Sequence, residues 1–315
     1  MPVTSKQVLC ALGSKDFWAF CCYYDWEFFY EKRPFLYDVA QALNNVVVMY
    51  EKGEVYNVSV SLPPRSGKSY ITSLFCAYWL GRFPELSVMR NSCSATLYDK
   101  LSYDTRAIVK SEKYKEVFPL VELSPDKQNL GGWNLTTSKQ VGYFGAGVGG
   151  TIIGFGANLA VTDDLYKSMQ DALSTSTDSM VKMWKQSAHD SRKEKNCPEI
   201  FIGTRWTKND IIGQAIESGK VNKSLVIPAL INDHSFCEDV KTTYEYLQIR
   251  DEIGKSIWNA EYQQNPIELE GLLLPESQLN YDDLTTIESP IYSFTDPADK
   301  GGDNFATIFV KVITL

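Results

Sequence analysis

Gly67-Lys68-Ser69 is the tripeptide best suited to chemistry in this chain. Lys68 offers an ammonium to phosphate oxygens, and the Ser69 hydroxyl offers a ligand to Mg²⁺. The neighbouring residues supply what such a site needs. Val55, Val58 and Val60 alternate as a short strand, which breaks at Pro63-Pro64, passes Arg65-Ser66 and enters an apolar helical pattern. Backbone N–H groups in that helix's first turn would face outward, where the helix dipole favours anions. Pro64, Arg65, Ser66, Gly67, Lys68 and Ser69 are therefore a candidate cradle for ATP. One position departs from the usual phosphate-loop pattern: Leu62 stands where a glycine is expected five residues before Gly67. The tripeptide alone also suits an ordinary helix N-terminus.

A second group of chemically capable residues lies far downstream. Residues 158–162 are a buried-strand pattern that ends in Asp163-Asp164. Carboxylates at the carboxyl end of a parallel strand sit where open α/β sheets place ligands. In a phosphate-loop ATPase, Asp163 would order Mg²⁺ while Asp164 aligned or deprotonated the attacking water. The alternative is a turn followed by a helix N-cap. The next strand, residues 199–203, runs into Thr204-Arg205. Thr204 could bond the γ-phosphate or the lytic water and so sense hydrolysis. Arg205 could neutralise transition-state charge or couple motion to it. Near the end, residues 291–295 alternate as a strand leading to Asp296, and a glycine-rich turn precedes a second strand from Phe305. An acid there suits a two-metal nuclease, of which two strands are only a part.

The elements that must position these groups can be read around them. Residues 16–30 are aromatic and predict a partly buried helix. Pro34 near a first turn, with Phe35, Val39, Leu43 and Val46 at helical spacing, predicts another. Tyr37 and Gln41 on it could touch an adenine ring, or pack in the core. A helix over 70–80 capped by Gly81, a strand over 86–93 and a helix over 95–110 follow. Further strands and a helix over 209–218 continue the alternation, which predicts a mainly parallel sheet flanked by helices. Residues 130–144 read as a hairpin, 180–191 as a helix, and 251–264 as a polar-aromatic helix. The glycine-rich stretch 145–156 could close on phosphate or DNA backbone, or be a flexible connection.

Composition bounds the alternatives. With 315 residues, 44% hydrophobic and 22% charged, the chain reads as a globular protein with a sizeable core. No apolar run approaches the ~20 residues of a membrane span, and the N-terminal run is too short for a secretory signal, so a cytosolic location is expected. Seven cysteines without a CxxC pair argue against a disulfide or zinc framework. With only His189 and His234, any metal would be held by oxygen ligands. The net charge of −8 argues against bulk nucleic-acid binding, though not against a local patch or a ring subunit gripping DNA.

In their order, Arg33-Pro34-Phe35, LPPRSGKS (62–69), GVGGTIIGFGANLAVTDD (147–164), GTRWTKNDIIGQ (203–214), YQQNP (262–266) and TDPADKGGDNFATIFV (295–310) resemble the large terminase subunits of tailed double-stranded DNA phages. The resemblance runs from about residue 30 to the end. It implies an α/β P-loop NTPase, its mainly parallel central sheet flanked by helices, followed by the first strands of an incomplete RNase H-like nuclease domain. The implied layout is a helical lead-in over 1–50, an ATPase domain over 51–267, a linker over 268–289 and the nuclease start over 290–315. The implied activity is an ATP- and Mg²⁺-dependent motor that threads double-stranded DNA through a portal into a procapsid. Its implied setting is a homo-oligomeric ring, served by a small terminase subunit, in the host cell cytoplasm and without a membrane. Carried over by residue, Lys68 contacts the phosphates, Arg65 suits the γ-phosphate, and Ser69 and Asp163 hold Mg²⁺. Asp164 is the catalytic carboxylate, Thr204 lies in the coupling motif, and Asp296 and Asp303 match nuclease metal ligands. Two departures stand out. Many members have Asp-Glu where this chain has Asp163-Asp164, one methylene shorter. No arginine lies between Arg106 and Arg192, which leaves a trans-acting arginine unassigned, with Arg192 and Arg205 as candidates. The later nuclease carboxylates would fall beyond Leu315, so the chain as given is expected not to cut DNA. A helicase-like ATPase and a non-catalytic phosphate-loop adaptor are the rival readings.

Overall fold

The computed structural model describes residues 3–129, 131–152, 154–267, 291–296 and 306–311. Contacts divide the chain into two units, Met1–Ile267 and Glu268–Leu315. Residues 268–290, and with them the expected linker, lie outside the described residues, as does Asp303.

The first unit begins with α1 (Val3–Gly13), α2 (Phe17–Tyr24) and α3 (Leu36–Glu51). The single helix expected over 16–30 is interrupted. Asp16 caps α2 by accepting from the Ala19 amide at 2.7 Å. At Asp25 the backbone leaves the helical region, and the Asp25 side chain caps a new π-helical turn, Glu27–Lys32, through the Phe28 amide. That wide turn brings Phe28 and Phe29 against Tyr70, with ring centroids 5.0 and 5.5 Å away.

β1 (Val58–Ser61) leads through the glycine–lysine loop into α4 (Lys68–Arg82). Residues 71–80 of α4 are all buried, as a helix apolar on every side requires. β2 (Val88–Ser92), α5 (Ala95–Lys110) and α6 (Glu112–Val117) follow, then β3 (Leu123–Asn129), β4 (Gly132–Leu135) and β5 (Tyr143–Phe144). Next come β6 (Leu159–Asp163), α7 (Met169–Leu173), α8 (Thr175–Trp184), β7 (Glu199–Ile202), α9 (Ile211–Glu217) and β8 (Lys223–Val226). α8 continues into a π-helical turn, Lys185–His189.

Eight strands form one sheet in the order β3-β4-β5-β2-β6-β7-β1-β8. From β5 to β8 every pairing is parallel, and the β3-β4-β5 edge is antiparallel. β1, β2, β6 and β7 are buried at every position. Parallel strands are covered on both faces, so even Ser59, Ser61, Arg90 and Asn91 lie buried. A large core gathers α2, α3, α4 and one sheet face, and a smaller one gathers the other face with α8 and α9. The glycine-rich stretch is packed down where it leaves β5. A Cβ on Gly145 would stand 1.8 Å from the Arg90 carbonyl oxygen, so only glycine fits there.

After β9 (Leu230–Ile231) and β10 (His234–Ser235) comes α10 (Thr243–Glu252), which almost wholly precedes the helix expected over 251–264. Thr242 and Glu245 form a capping box that fixes the start. Gly254 separates α10 from a short turn that ends in the π-helical Trp258–Tyr262. In the second unit, β11 (Ile291–Asp296) pairs antiparallel with β12 (Ala306–Lys311), Asp296 opposite Ala306. No helix among the described residues is long and apolar enough to cross a membrane.

Candidate active site

The order β6-β7-β1 sets the site. These three parallel neighbours end on the same edge, delivering Asp163-Asp164, Gly203-Thr204 and the loop from Leu62 to Ser69. They open on a cleft of about 720 Å³ lined by Pro64 through Ser69, Asp164 and Thr204, with Tyr24 and Phe28 on another wall.

The loop is built from its own backbone. Leu62 is fully buried in the main core, so the residue that replaces the usual glycine acts as a packing anchor. Its carbonyl oxygen accepts a hydrogen bond from Lys68 Nζ at 2.7 Å. Buried Ser66 donates through Oγ to the Pro63 carbonyl at 2.7 Å. Gly67 precedes α4 with φ +100°, and a Cβ there would stand 2.8 Å from Phe28 Cζ. Arg65 is exposed with φ +66°. The 15 residues of α4 aim their N-terminal amides at this cleft, an arrangement suited to anions.

Asp163 is 1% exposed and paired with Arg90, a residue of β2 that is itself fully buried. Arg90 Nε donates to Asp163 Oδ2 at 2.9 Å, and a second guanidinium nitrogen reaches the same oxygen. The guanidinium also donates to Ser73 Oγ at 2.8 Å and to the Ser69 carbonyl at 3.3 Å. Arg90 thus fastens the start of α4 to the end of β6. Burial raises the Asp163 carboxyl above its usual range, with Arg90 opposing the rise and Asp164 adding to it; Lys68 pulls it down as well. The Lys68 ammonium and the Asp163 carboxylate therefore act on each other electrostatically.

Asp164 has a left-handed backbone, φ +48°. Its Oδ1 accepts the Thr204 amide at 3.0 Å, and its own amide donates to the Ile202 carbonyl at 2.9 Å. Glu261 lines the same cleft from the π-helical turn, as does Asp104, which is paired with Lys100 at 2.7 Å.

Other sequence candidates lie elsewhere. Arg205 is turned to buried Asp210, with Nε 3.2 and 3.3 Å from the two carboxylate oxygens, and it does not line the cleft. Tyr37 and Gln41 do not line it either, and Tyr37 packs edge-on against Trp18 at 5.4 Å. Arg192 flanks a separate hollow beside Phe155 and Gly156. Among the described residues, His189, Asp190 and Glu199 stand at metal-like separations. Lys185 and Lys193 already occupy those carboxylates at 2.8–3.0 Å, so the cluster is a closed ion network.

No protein-family model and no curated protein sequence matches the chain. Among solved structures it aligns with the HK97 bacteriophage large terminase, with a TM-score of 0.51 and 12% identity, over 74% of this chain and 50% of that one. The aligned residues share the fold of the corresponding half of that terminase. The chain spans half the length of the HK97 large terminase. A second match, the Thermus phage P74-26 large terminase ATPase domain, has a TM-score of 0.44 and 12% identity, over 70% of this chain and 93% of that one. Sequence reasoning missed Glu261, which lines the cleft, and Arg90, the buried partner of Asp163. Arg90 had little signal, since its strand, Val88–Ser92, is itself mostly polar in sequence. Glu261 had none beyond its helical, polar-aromatic surroundings.

Proposed function

We propose that the first unit hydrolyses ATP with Mg²⁺ and that hydrolysis drives translocation of double-stranded DNA. The observation that carries the reading is the meeting of the Lys68 loop, Asp164 and Thr204 at one cleft, with Asp163 buried at the end of β6 beside it. The donor set fits the nucleotide and the ion. Helix-start amides and Lys68 suit the phosphates, and Ser69 and Asp163 are the oxygen ligands for Mg²⁺. Both Arg90 nitrogens converge on Asp163 Oδ2, which leaves Oδ1 clear of the guanidinium. Bound there, Mg²⁺ would neutralise charge on the phosphate oxygens. Lys68, freed from the Leu62 carbonyl, and exposed Arg65 would stabilise the γ-phosphate. Asp164, oriented by the Thr204 amide, would align the attacking water, and Thr204 would report the change in the phosphate to the end of β7.

The terminase-like fold and the ordered motifs support the wider setting: a homo-oligomeric ring on a portal and procapsid, working with a small terminase subunit. Asp296 and Asp303 are the proposed metal ligands of a nuclease. Phosphate release by the wild-type chain, with and without double-stranded DNA and procapsids, tests the motor. Stimulation by both is expected, and Lys68→Ala should abolish turnover with the fold intact. Unchanged ATPase in Lys68→Ala would overturn the site. Absence of Mg·ATP binding in a titration would favour an adaptor, and strand separation a helicase.

A further inference from the structure

Glu261 is held in the cleft by a framework of its own. The π-helical turn Trp258–Tyr262 buries Trp258 and Ala260, stacks Trp258 on Tyr262 at 5.1 Å, and is pinned by the Ala229 amide donating to the Tyr262 carbonyl at 2.8 Å. Gln264, 3% exposed and with φ +55°, donates to the Glu261 carbonyl oxygen and accepts from the Arg205 amide at 3.4 Å. The backbone carrying Glu261 is therefore tied to the residue after Thr204. Among the described residues, no hydrogen-bond donor reaches the Glu261 carboxylate. Its carboxylate is therefore free to act on what enters the cleft.

We propose that Glu261 is the proton acceptor for the attacking water, with Asp164 orienting that water; this rests on the ATPase reading above. The water oxygen bonds to the γ-phosphorus as the bond from phosphorus to the β–γ bridging oxygen breaks, its electron pair leaving on ADP. The water proton passes to the Glu261 carboxylate and from there to solvent. Asp164 is less suited to the transfer. Its Oδ1 is already engaged by the Thr204 amide, which suits it to hold the water in place. Glu261 is favoured in the opposite sense. Burial raises its carboxyl above the usual range, Lys68 pulls it back, and Asp164 raises it again.

The test is Glu261→Gln, read by steady-state ATPase and by binding of a non-hydrolysable ATP analogue with Mg²⁺. The expected result is a fall in kcat of about 10²-fold or more with analogue affinity preserved. Glu261→Ala should be dead as well, and added formate should restore part of its kcat, which a structural role would not allow. Wild-type kcat in Glu261→Gln with tighter analogue binding would make Glu261 a counter-ion of Lys68 and overturn the proposal. Full activity in Glu261→Gln beside a dead Lys68→Ala would sink this role alone, whereas an inactive wild type would sink the ATPase reading with it.

Discussion

The Thr204 amide donates to Asp164 Oδ1 at 3.0 Å, joining the end of β7 to the end of β6. A backbone donor, not a neighbouring side chain, thus sets the direction of this carboxylate. Asp164→Asn retains an oxygen acceptor for that amide and removes only the charge. On the proposed mechanism it loosens the hold on the attacking water and lowers kcat by ~10²-fold while KM stays near wild type. Kinetics with kcat preserved and KM raised would reassign Asp164 to binding.

Arg90 and Asp163 form a fully buried pair, and losing one partner strands the other. Arg90→Met should destabilise the protein by about 3–5 kcal/mol in urea unfolding. Adding Asp163→Leu should recover part of that loss, because the uncompensated charge goes with it. Strict additivity of the two single variants would contradict the pairing.

Glu199 gives a pH dependence with a definite sign. Burial alone would raise its carboxyl, but His189, Lys185 and Lys193 outweigh burial and hold it well below the usual range. The unfolded chain then binds the proton more tightly than the folded one. This contribution is complete above the unfolded value of 4.5 and is lost as pH falls through the depressed folded value. Glu199→Gln should lower stability at neutral pH and flatten the fall below pH 4.5, measured by thermal melts across that range. An unchanged acid limb would place the sensitivity in another group.

Gly67 carries two constraints at once, a left-handed φ and contact with Phe28. Gly67→Ala should cost roughly 1–3 kcal/mol and weaken Mg·ATP binding. Adding Phe28→Leu should relieve the clash without relieving the backbone strain, so stability should return only in part. Full recovery in the double variant would show that the clash alone mattered.

The sheet was legible because its strands are short apolar runs punctuated by Pro63-Pro64, Asp163-Asp164 and Gly203, each at a strand end. The aromatic segment 16–30 was read as one helix because its composition hid the break. Asp25 interrupts it by capping the next turn and accepting from the Tyr70 hydroxyl at 3.2 Å, a partner 45 residues away. Arg205 shows the limit of adjacency: it follows Thr204 in sequence, yet its side chain turns to Asp210, the N-cap of α9. Tyr37 and Gln41 share the helical spacing of their helix, but spacing does not say which face meets the cleft, and Tyr24 and Phe28 stand there instead. Glu261 reaches the cleft through long-range packing of a π-helical turn, for which the sequence holds no periodic cue.

With β7 seated between β1 and β6, the cradle and the paired acids are two strand widths apart, about 10 Å. The gap behaves like a charged slot, cationic on one rim and anionic on the other. A lone anion satisfies the first rim only, and a lone cation the second. On the proposed reading, a polyphosphate carrying its own counter-ion would relieve both, and ion and nucleotide would each tighten the other's hold by the same factor.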